Sequence, residues 1–247
     1  MESKIDKKIK IPTRPSEDDL SFNAYQMSFE DKQVVPKPGN AFGHCIGDYP
    51  DNYLQVERDG TIEFNGDATV WEDLRIVPGA FQFAGNLDPS IEGWIPTGGT
   101  IEFQVYKFKE NDEVFFTCQI PHSYKEGTDI GAHLHWTPCD RGAAEGTTVV
   151  AWKLDYSWAN IDAVFPRPVT IDLSDACQST DDAHLNTPEV NISGTGKTIS
   201  SILACRLWRD NVGDTWVGTT NAQSPAILEF DFHYEIDTVG SRQTLIK

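Results

Sequence analysis

The 247-residue sequence predicts an all-β protein, an antiparallel β-sandwich or jelly-roll-like domain with an extended N-terminal arm. Three observations support this fold class. Aromatic residues number 27 (7 Trp + 7 Tyr + 13 Phe) against 2 Met, a balance that favours strands over helical bundles. Several segments alternate apolar and polar residues with a period of two. Gly, Pro and Asp separate these segments, as is typical of turns between strands.

Residues 1–45 are predicted to form the arm, and residues 46–247 the domain. The arm contains Pro12, Pro15, Pro36 and Pro38, and its sparse apolar residues follow neither the period of a strand nor that of a helix. Its first fourteen residues have a net charge of +3 (5 basic − 2 acidic), whereas the whole chain has −18. We therefore predict that the arm binds a partner through its basic residues: Lys4, Lys7, Lys8, Lys10 and Arg14.

The domain contains segments that are predicted to be strands: residues 61–66, 99–108, 113–120, 132–138, 149–158, 201–210 and 226–237. The last of these shows the clearest alternation. Its core face is predicted to carry Leu228, Phe230 and Phe232, and its outer face Asp231 and His233. This pattern is typical of a strand that buries one face in an antiparallel sheet.

Tryptophan is frequent, with seven residues, and exposed indole rings could form a sugar-binding platform. The alternation instead places four of them on inward faces, in the core or at a subunit contact. These four are Trp136, Trp152, Trp158 and Trp208. The segment from residue 171 to residue 194 is polar and shows no period, which predicts a long surface loop or a short helical excursion.

The charge and hydropathy of the chain argue against nucleic-acid and membrane partners. Lys and Arg number 20 and Asp and Glu 38, so the chain would repel nucleic acid and anionic bilayers. No stretch approaches the roughly 18 consecutive apolar residues of a membrane span, and the N-terminus lacks the apolar core of a signal peptide. We therefore expect synthesis in the cytoplasm. The five cysteines include no CxxC pair, which favours buried thiols over a disulfide framework.

One motif raises the possibility of metal binding. The string from residue 127 to Asp140, which contains His133 and His135, resembles the first conserved motif of the cupin family. Two histidines that are two residues apart on a strand project from the same face, so both can reach one metal ion. The resemblance implies a metal site on His133 and His135. The cupin motif has Glu in place of Asp140, however, and the later His184 and His233 lack the Pro-x-Gly context of the second cupin motif.

The alternative interpretation of this segment is structural. Ala132, Leu134 and Trp136 would pack inward, and the imidazoles of His133 and His135 would lie at a surface where symmetry-related chains meet. We therefore predict an oligomer interface at His133, His135 and Trp136, with no metal and no cofactor. Neither a GxSxG nucleophile elbow nor a complete phosphate-binding loop is present, so we assign no catalytic residue and expect no enzymatic activity.

Four strings, taken in order, resemble a family of virion-associated β-proteins of tailed bacteriophages. They are FFTCQIPHSYKEGTDIGAHLHWTP, VVAWKLDYSWANI, ISGTGKTISSILACRLWR and EFDFHYEIDTVGSRQ. The resemblance spans residues 70–245 and implies a structural component of the phage particle. The first expectation is a capsid cement or decoration protein that stabilises the head by bridging neighbouring subunits. The alternative is a neck, tail or receptor-binding component.

This resemblance also implies partners and a location. The chain would bind the major capsid protein or other virion proteins, and further copies of itself in a homotrimer or another homo-oligomer. It would be made in the host cytoplasm and reside in the virion. We expect no nucleic acid and no membrane among its partners.

Overall fold

The computed structural model describes residues 27–29, 32–36, 44–57, 60–139, 148–177, 182–216, 218, 220 and 223–247. The chain divides into two compact units, Met1–Gly66 and Asp67–Lys247. Within the described residues, no helix has the length and hydropathy needed to cross a membrane. Two short 3-10 turns, Gly66–Ala68 and Pro78–Ala80, are the helical elements that the structure describes.

The described part of the first unit is an antiparallel meander, in which each strand pairs with the next one along the chain. Its strands are β1 (Met27–Phe29), β2 (Lys32–Pro36), β3 (His44–Asp48), β4 (Asn52–Val56) and β5 (Ile62–Asn65). The predicted division into an arm, residues 1–45, and a domain, residues 46–247, stays a prediction because residues 1–26 lie outside the described part of the chain.

The second unit contains thirteen described strands. They are β6 (Val70–Ile76), β7 (Ser90–Trp94), β8 (Phe103–Lys107), β9 (Glu113–Gln119), β10 (Ile130–Thr137), β11 (Thr148–Val150), β12 (Trp152–Ala159), β13 (Val169–Asp172), β14 (Asp175–Cys177), β15 (Leu185–Asn186), β16 (Val190–Ile192), β17 (Ile202–Arg209) and β18 (Ala226–Ile236). The larger sheet has the order β15-β10-β18-β8-β7, with β16 also on β10 and β6 also on β18. The smaller sheet has the order β13-β12-β17-β9, and β11 pairs with β14.

The core of the second unit lies between these two sheets. The Phe116 ring on β9 lies 5.3 Å from the Phe230 ring on β18, and Trp136 on β10 lies 6.2 Å from Trp152 on β12, measured between ring centroids. All four side chains are buried. Because the rings that meet come from different sheets, the unit is a sandwich. The predicted all-β, antiparallel β-sandwich is confirmed.

The alternation of inward and outward side chains that predicted the strands needs two corrections, one in β18 and one in β17. In β18, Ile227 pairs with Trp136 and Glu229 with His135, so Leu228 is one extra residue in the strand. This bulge reverses the alternation, and Leu228 lines a surface pocket instead of the main core. In β17, Leu207 is buried and Trp208 stacks on Arg206 at the outer face, so its predicted inward position is wrong.

The segment predicted as a long loop contains short strands. β15 and β16 both pair with the same side of β10, with His135 opposite Asn186 and Ala132 opposite Val190. Strands of two or three residues are too short to show a period of two, which is why the sequence pattern did not indicate them. Their pairing places residues 184–189 at the edge of the larger sheet, beside β10.

Candidate functional site: a histidine–carboxylate cluster

The outer face of the larger sheet carries a group of histidines and carboxylates, here called the histidine cluster. Its members are His133, His135, His184, His233, Asp73, Glu189 and Asp231. His133 and His135 project from β10 on the side opposite the core, because they alternate with the buried Ala132, Leu134 and Trp136.

Cross-strand register brings the partners of these histidines together. Asp231 on β18 lies directly opposite His133 on β10. His233, two residues further along β18, lies on the same face and opposite Asp73 on β6. Three adjacent strands therefore supply side chains to one patch, at positions fixed by backbone pairing.

Three residues form the centre of the cluster. His133 Nε2 lies 3.1 Å from His135 Nε2 and 2.7 Å from Asp231 Oδ1. His135 Nε2 lies 3.5 Å from Asp231 Oδ2. The His133 and Asp231 side chains are 2% and 5% exposed, whereas that of His135 is 25% exposed. The centre is therefore closed on the His133 side and open to solvent on the His135 side.

Further side chains surround the three central residues and contact them or one another. His135 Nδ1 lies 2.8 Å from His184 Nε2. On the other side, His233 Nδ1 lies 2.6 Å from Glu189 Oε2, and His233 Nε2 lies 3.0 Å from Asp73 Oδ1. His184 and Glu189 come from the segment around β15 and β16, so that segment completes the cluster.

Gly131 makes room for one of these contacts. It lies on β10 opposite His233, and a Cβ atom at this position would lie 2.6 Å from both carboxylate oxygens of Glu189. A larger residue at this position would displace the Glu189 carboxylate, so Gly131 allows Glu189 to reach His233 across the strand.

Burial and the Asp231 carboxylate shift the pKa values of the two central histidines in opposite directions. Burial lowers the pKa of His133, but the hydrogen bond and charge of Asp231 outweigh it and raise this pKa above its ordinary value. At His135, burial and the neighbouring charges of His133 and His184 outweigh Asp231, so the pKa is lowered. Of the two imidazoles, that of His133 therefore takes up a proton more readily than that of His135.

A pocket of about 370 Å³ opens beside the cluster. Its lining includes His135, His184 and Asp231, together with Leu228 from the β18 bulge and Arg75 from β6. Arg75 is paired with a carboxylate on β18, so its positive charge is partly neutralised. A water molecule or a small ligand can reach the exposed side of His135 through this pocket.

The structure places the predicted site residues in three different settings. His133 and His135 come together, as the strand spacing predicted. Trp136 lies on the other side of β10, fully buried in the core, where its Nε1 donates to Asp175 Oδ2 at 2.9 Å. The structure therefore does not bring Trp136 to the two histidines. Asp140 of the cupin-like string lies outside the described residues, as do the basic residues of the arm: Lys4, Lys7, Lys8, Lys10 and Arg14.

Sequence reasoning missed the partners of the two histidines. The spacing Asp231-x-His233 on β18 repeats the spacing His133-x-His135 on β10, and two such pairs on outer faces of strands were a usable signal. No comparable signal marks His184 and Glu189, because their segment has no period and reaches the cluster through tertiary pairing.

No protein-family model and no curated protein matches this chain. Among solved structures, it is similar to a GH115 4-O-methyl-alpha-glucuronidase, BtGH115A, with specificity for decorated arabinogalactans, at 10% identity and a TM-score of 0.28 over 63% of this chain. It is also similar to two structures of infectious bursal disease virus. The structure of the Gt strain matches with 10% identity and a TM-score of 0.28 over 85% of this chain. The structure of the Gx strain matches with 10% identity and a TM-score of 0.18 over 87% of this chain. This chain covers 17% of the glucuronidase chain, 52% of the Gt strain chain and 78% of the Gx strain chain. Similarities this weak assign no function.

Proposed function

We propose that this chain is a structural subunit of a tailed-phage virion. In the form that we favour, it is a cement or decoration protein that bridges neighbouring subunits of the head, and a neck or tail position is the alternative. The resemblance of four strings to phage virion-associated proteins supports this proposal, and all four run through strands of the sandwich. A subunit of this kind acts by binding its neighbours, so the surface of the sandwich must carry contact sites.

The observation that carries the proposal is an exposed apolar segment at the edge of the smaller sheet. Every residue from 161 to 170 is exposed, and Val164 reaches 92%. The segment also exposes Phe165 and Val169 and leads into β13. Among the described strands, β13 ends the smaller sheet, so one of its backbone edges is open for pairing. Contiguous exposed apolar residues beside an open edge are typical of a protein–protein contact.

A second apolar segment lies at the edge of the larger sheet. Ile91 on β7, Phe103 on β8, and Ile95 and Ile101 between these strands are all exposed. β7 ends the larger sheet among the described strands. Two apolar segments on different sheets allow one subunit to contact two neighbours, as bridging requires.

The contacts that the proposal needs are of the ordinary size for protein interfaces. A stable contact between proteins buries roughly 800 Å² on each partner, and apolar area contributes about 25 cal/mol per Å² that leaves water. The basic arm residues are proposed to add a tether: Lys4, Lys7, Lys8, Lys10 and Arg14. A tether raises the local concentration of the weaker contacts on the particle.

The oligomeric state of the purified chain tests the contact segment. We expect analytical ultracentrifugation to show a homotrimer or another homo-oligomer, and a Val164→Asp, Phe165→Asp double variant to shift it toward the monomer. The control is Val212→Asp, which makes the same chemical change at another exposed valine outside both segments. Circular dichroism checks that each variant keeps its β-structure. A wild-type chain that stays monomeric, or a double variant that associates as well as the control, would contradict the contact.

A further inference from the structure

The geometry points to a binding site for one divalent transition-metal ion in the histidine cluster, with His133 Nε2, His135 Nε2 and the Asp231 carboxylate as ligands. This inference does not rest on the proposed virion role, because the ligands lie on the outer face of β10 and β18, whereas the proposed contact segments lie at β13 and β7.

The distances among the three ligand groups match those around one ion. Ligand atoms bound at about 2.1 Å lie about 3.0 Å apart at a right angle and about 3.4 Å apart at the tetrahedral angle. The two Nε2 atoms of His133 and His135 lie 3.1 Å apart, and their distances to the Asp231 oxygens are 2.7 and 3.5 Å. One ion between these atoms needs no rearrangement of the strands.

Rigid elements hold these ligands. His133 and Asp231 face each other across a backbone-paired position of β10 and β18, and His135 follows on the same face. Ligands fixed by a sheet lose little conformational freedom when an ion binds, which favours affinity. In addition, three carboxylates (Asp73, Glu189 and Asp231) surround the two imidazoles, and the negative potential that they create attracts a cation.

His135 has the outer contact that a metal-binding histidine needs. A histidine that binds metal through Nε2 carries its proton on Nδ1 and directs it to an acceptor. His135 Nδ1 lies 2.8 Å from His184 Nε2, which can accept a hydrogen bond from it. His133 also belongs to a second group, with Glu189 and His233. The ligand atoms of these three residues lie within 4.8 Å of one another.

A buried atom without a partner gives an independent indication. His133 Nδ1 is buried and has no hydrogen-bond partner among the described residues, although its side chain is only 2% exposed. A buried polar atom left unpaired is unfavourable and calls for an explanation, and a bound ion at the same side chain is one such explanation. An ion on Nε2 of His133 would fix the ring and orient Nδ1 toward the nearby Glu189 carboxylate.

The ligand set selects the class of ion. Two imidazole nitrogens and a carboxylate suit Zn²⁺, Co²⁺ or Fe²⁺, whereas Mg²⁺ and Ca²⁺ prefer oxygen ligands alone. Three protein ligands leave at least one coordination position for water or a small anion. That position faces the pocket beside His135, which is the open side of the cluster.

The test titrates the full chain, freed of metal with a chelator, with Co²⁺ and Zn²⁺. We expect one ion per chain, visible d–d absorption for Co²⁺, and displacement of Co²⁺ by Zn²⁺. The Asp231→Asn variant removes the charged ligand with little change in size, and His135→Ala removes the more exposed histidine. Each should weaken binding by more than about 100-fold, because losing only an outer partner of a ligand already costs about 10- to 100-fold.

The matched control is His122→Gln. His122 hydrogen-bonds Ser200 and Ser241 and takes no part in the cluster, so affinity and the Co²⁺ spectrum should stay unchanged. Circular dichroism confirms the fold of each variant, and His135→Ala keeps the test valid if Asp231→Asn fails to fold. A wild-type chain that binds neither ion, binding that survives His135→Ala, or an equal loss in the control would overturn the assignment.

Discussion

The buried ion pair between Arg209 and Asp214 gives a direct test of the packing of the sandwich unit. The Arg209 and Asp214 side chains are 1% and 0% exposed. Arg209 donates from Nε and Nη2 to the two Asp214 oxygens, each at 2.8 Å, and from Nη1 to the Phe108 carbonyl at 2.8 Å. The pair thus joins the end of β17 to two neighbouring segments.

We expect the Arg209→Met variant to lose about 3–5 kcal/mol of unfolding free energy, because it leaves the Asp214 carboxylate buried without its cation. Backbone N–H groups of Ala151 and Trp216 still donate to Asp214, at 3.1 and 2.9 Å, which does not replace the lost charge. Adding Asp214→Asn removes that charge and should restore at least about 1 kcal/mol, since a neutral amide costs less to bury.

The assay is urea unfolding followed by tryptophan fluorescence. All seven tryptophans lie between residues 71 and 216, so the signal reports on the unit Asp67–Lys247. The control is Lys153→Met, which breaks the ion pair with Asp172, whose side chain is 62% exposed. An exposed pair contributes about 1 kcal/mol or less. If Arg209→Met costs no more than Lys153→Met, the reasoning about the buried pair is wrong.

Two further predictions concern Gly131, beside the histidine cluster, and the Asp182 carboxylate. Gly131→Ala would place a Cβ against the Glu189 carboxylate, so we expect a melting temperature about 2–4 °C lower, equivalent to about 1 kcal/mol. Calorimetry of Gly79→Ala, whose Cβ would meet nothing within 4 Å, should show no loss, and equal melting of the two variants would count against the fit. Burial raises the pKa of Asp182, but hydrogen bonds, including those from Thr97, outweigh it and lower this pKa. The carboxylate therefore contributes stability above its unfolded pKa of about 3.9, and this stability is lost as the pH falls through the lower folded pKa. In urea titrations, the Asp182→Asn variant should therefore lose less stability than the wild type between about pH 5 and pH 2. Identical pH profiles would refute this.

Much of the sandwich could be predicted from the sequence, because each long strand buries one face and exposes the other. The alternation along β9 and β12 encodes this directly. The bulge at Leu228 could not be predicted, since an extra residue is defined by what the partner strand pairs with. The outward position of Trp208 was missed for a different reason: the alternation of β17 buries Arg209, whose charge is neutralised inside by Asp214.

The candidate site was predictable only in its first half. His133 and His135 share a strand, so their common face follows from their spacing alone. Asp231 joins them through cross-strand register, and His184 and Glu189 through short strands in an aperiodic segment. Those contacts connect residues far apart in the chain, and local sequence patterns hold no information about such pairing.

The central claim is that the chain is a structural subunit of a virus particle. If a tailed phage carries the gene, quantitative mass spectrometry of its purified particles tests this claim most directly. As a cement or decoration protein, it should be present in hundreds of copies, in a fixed ratio to the major shell protein, whereas a neck or tail component would give about a dozen or fewer. Particles from which the chain is absent would contradict the account.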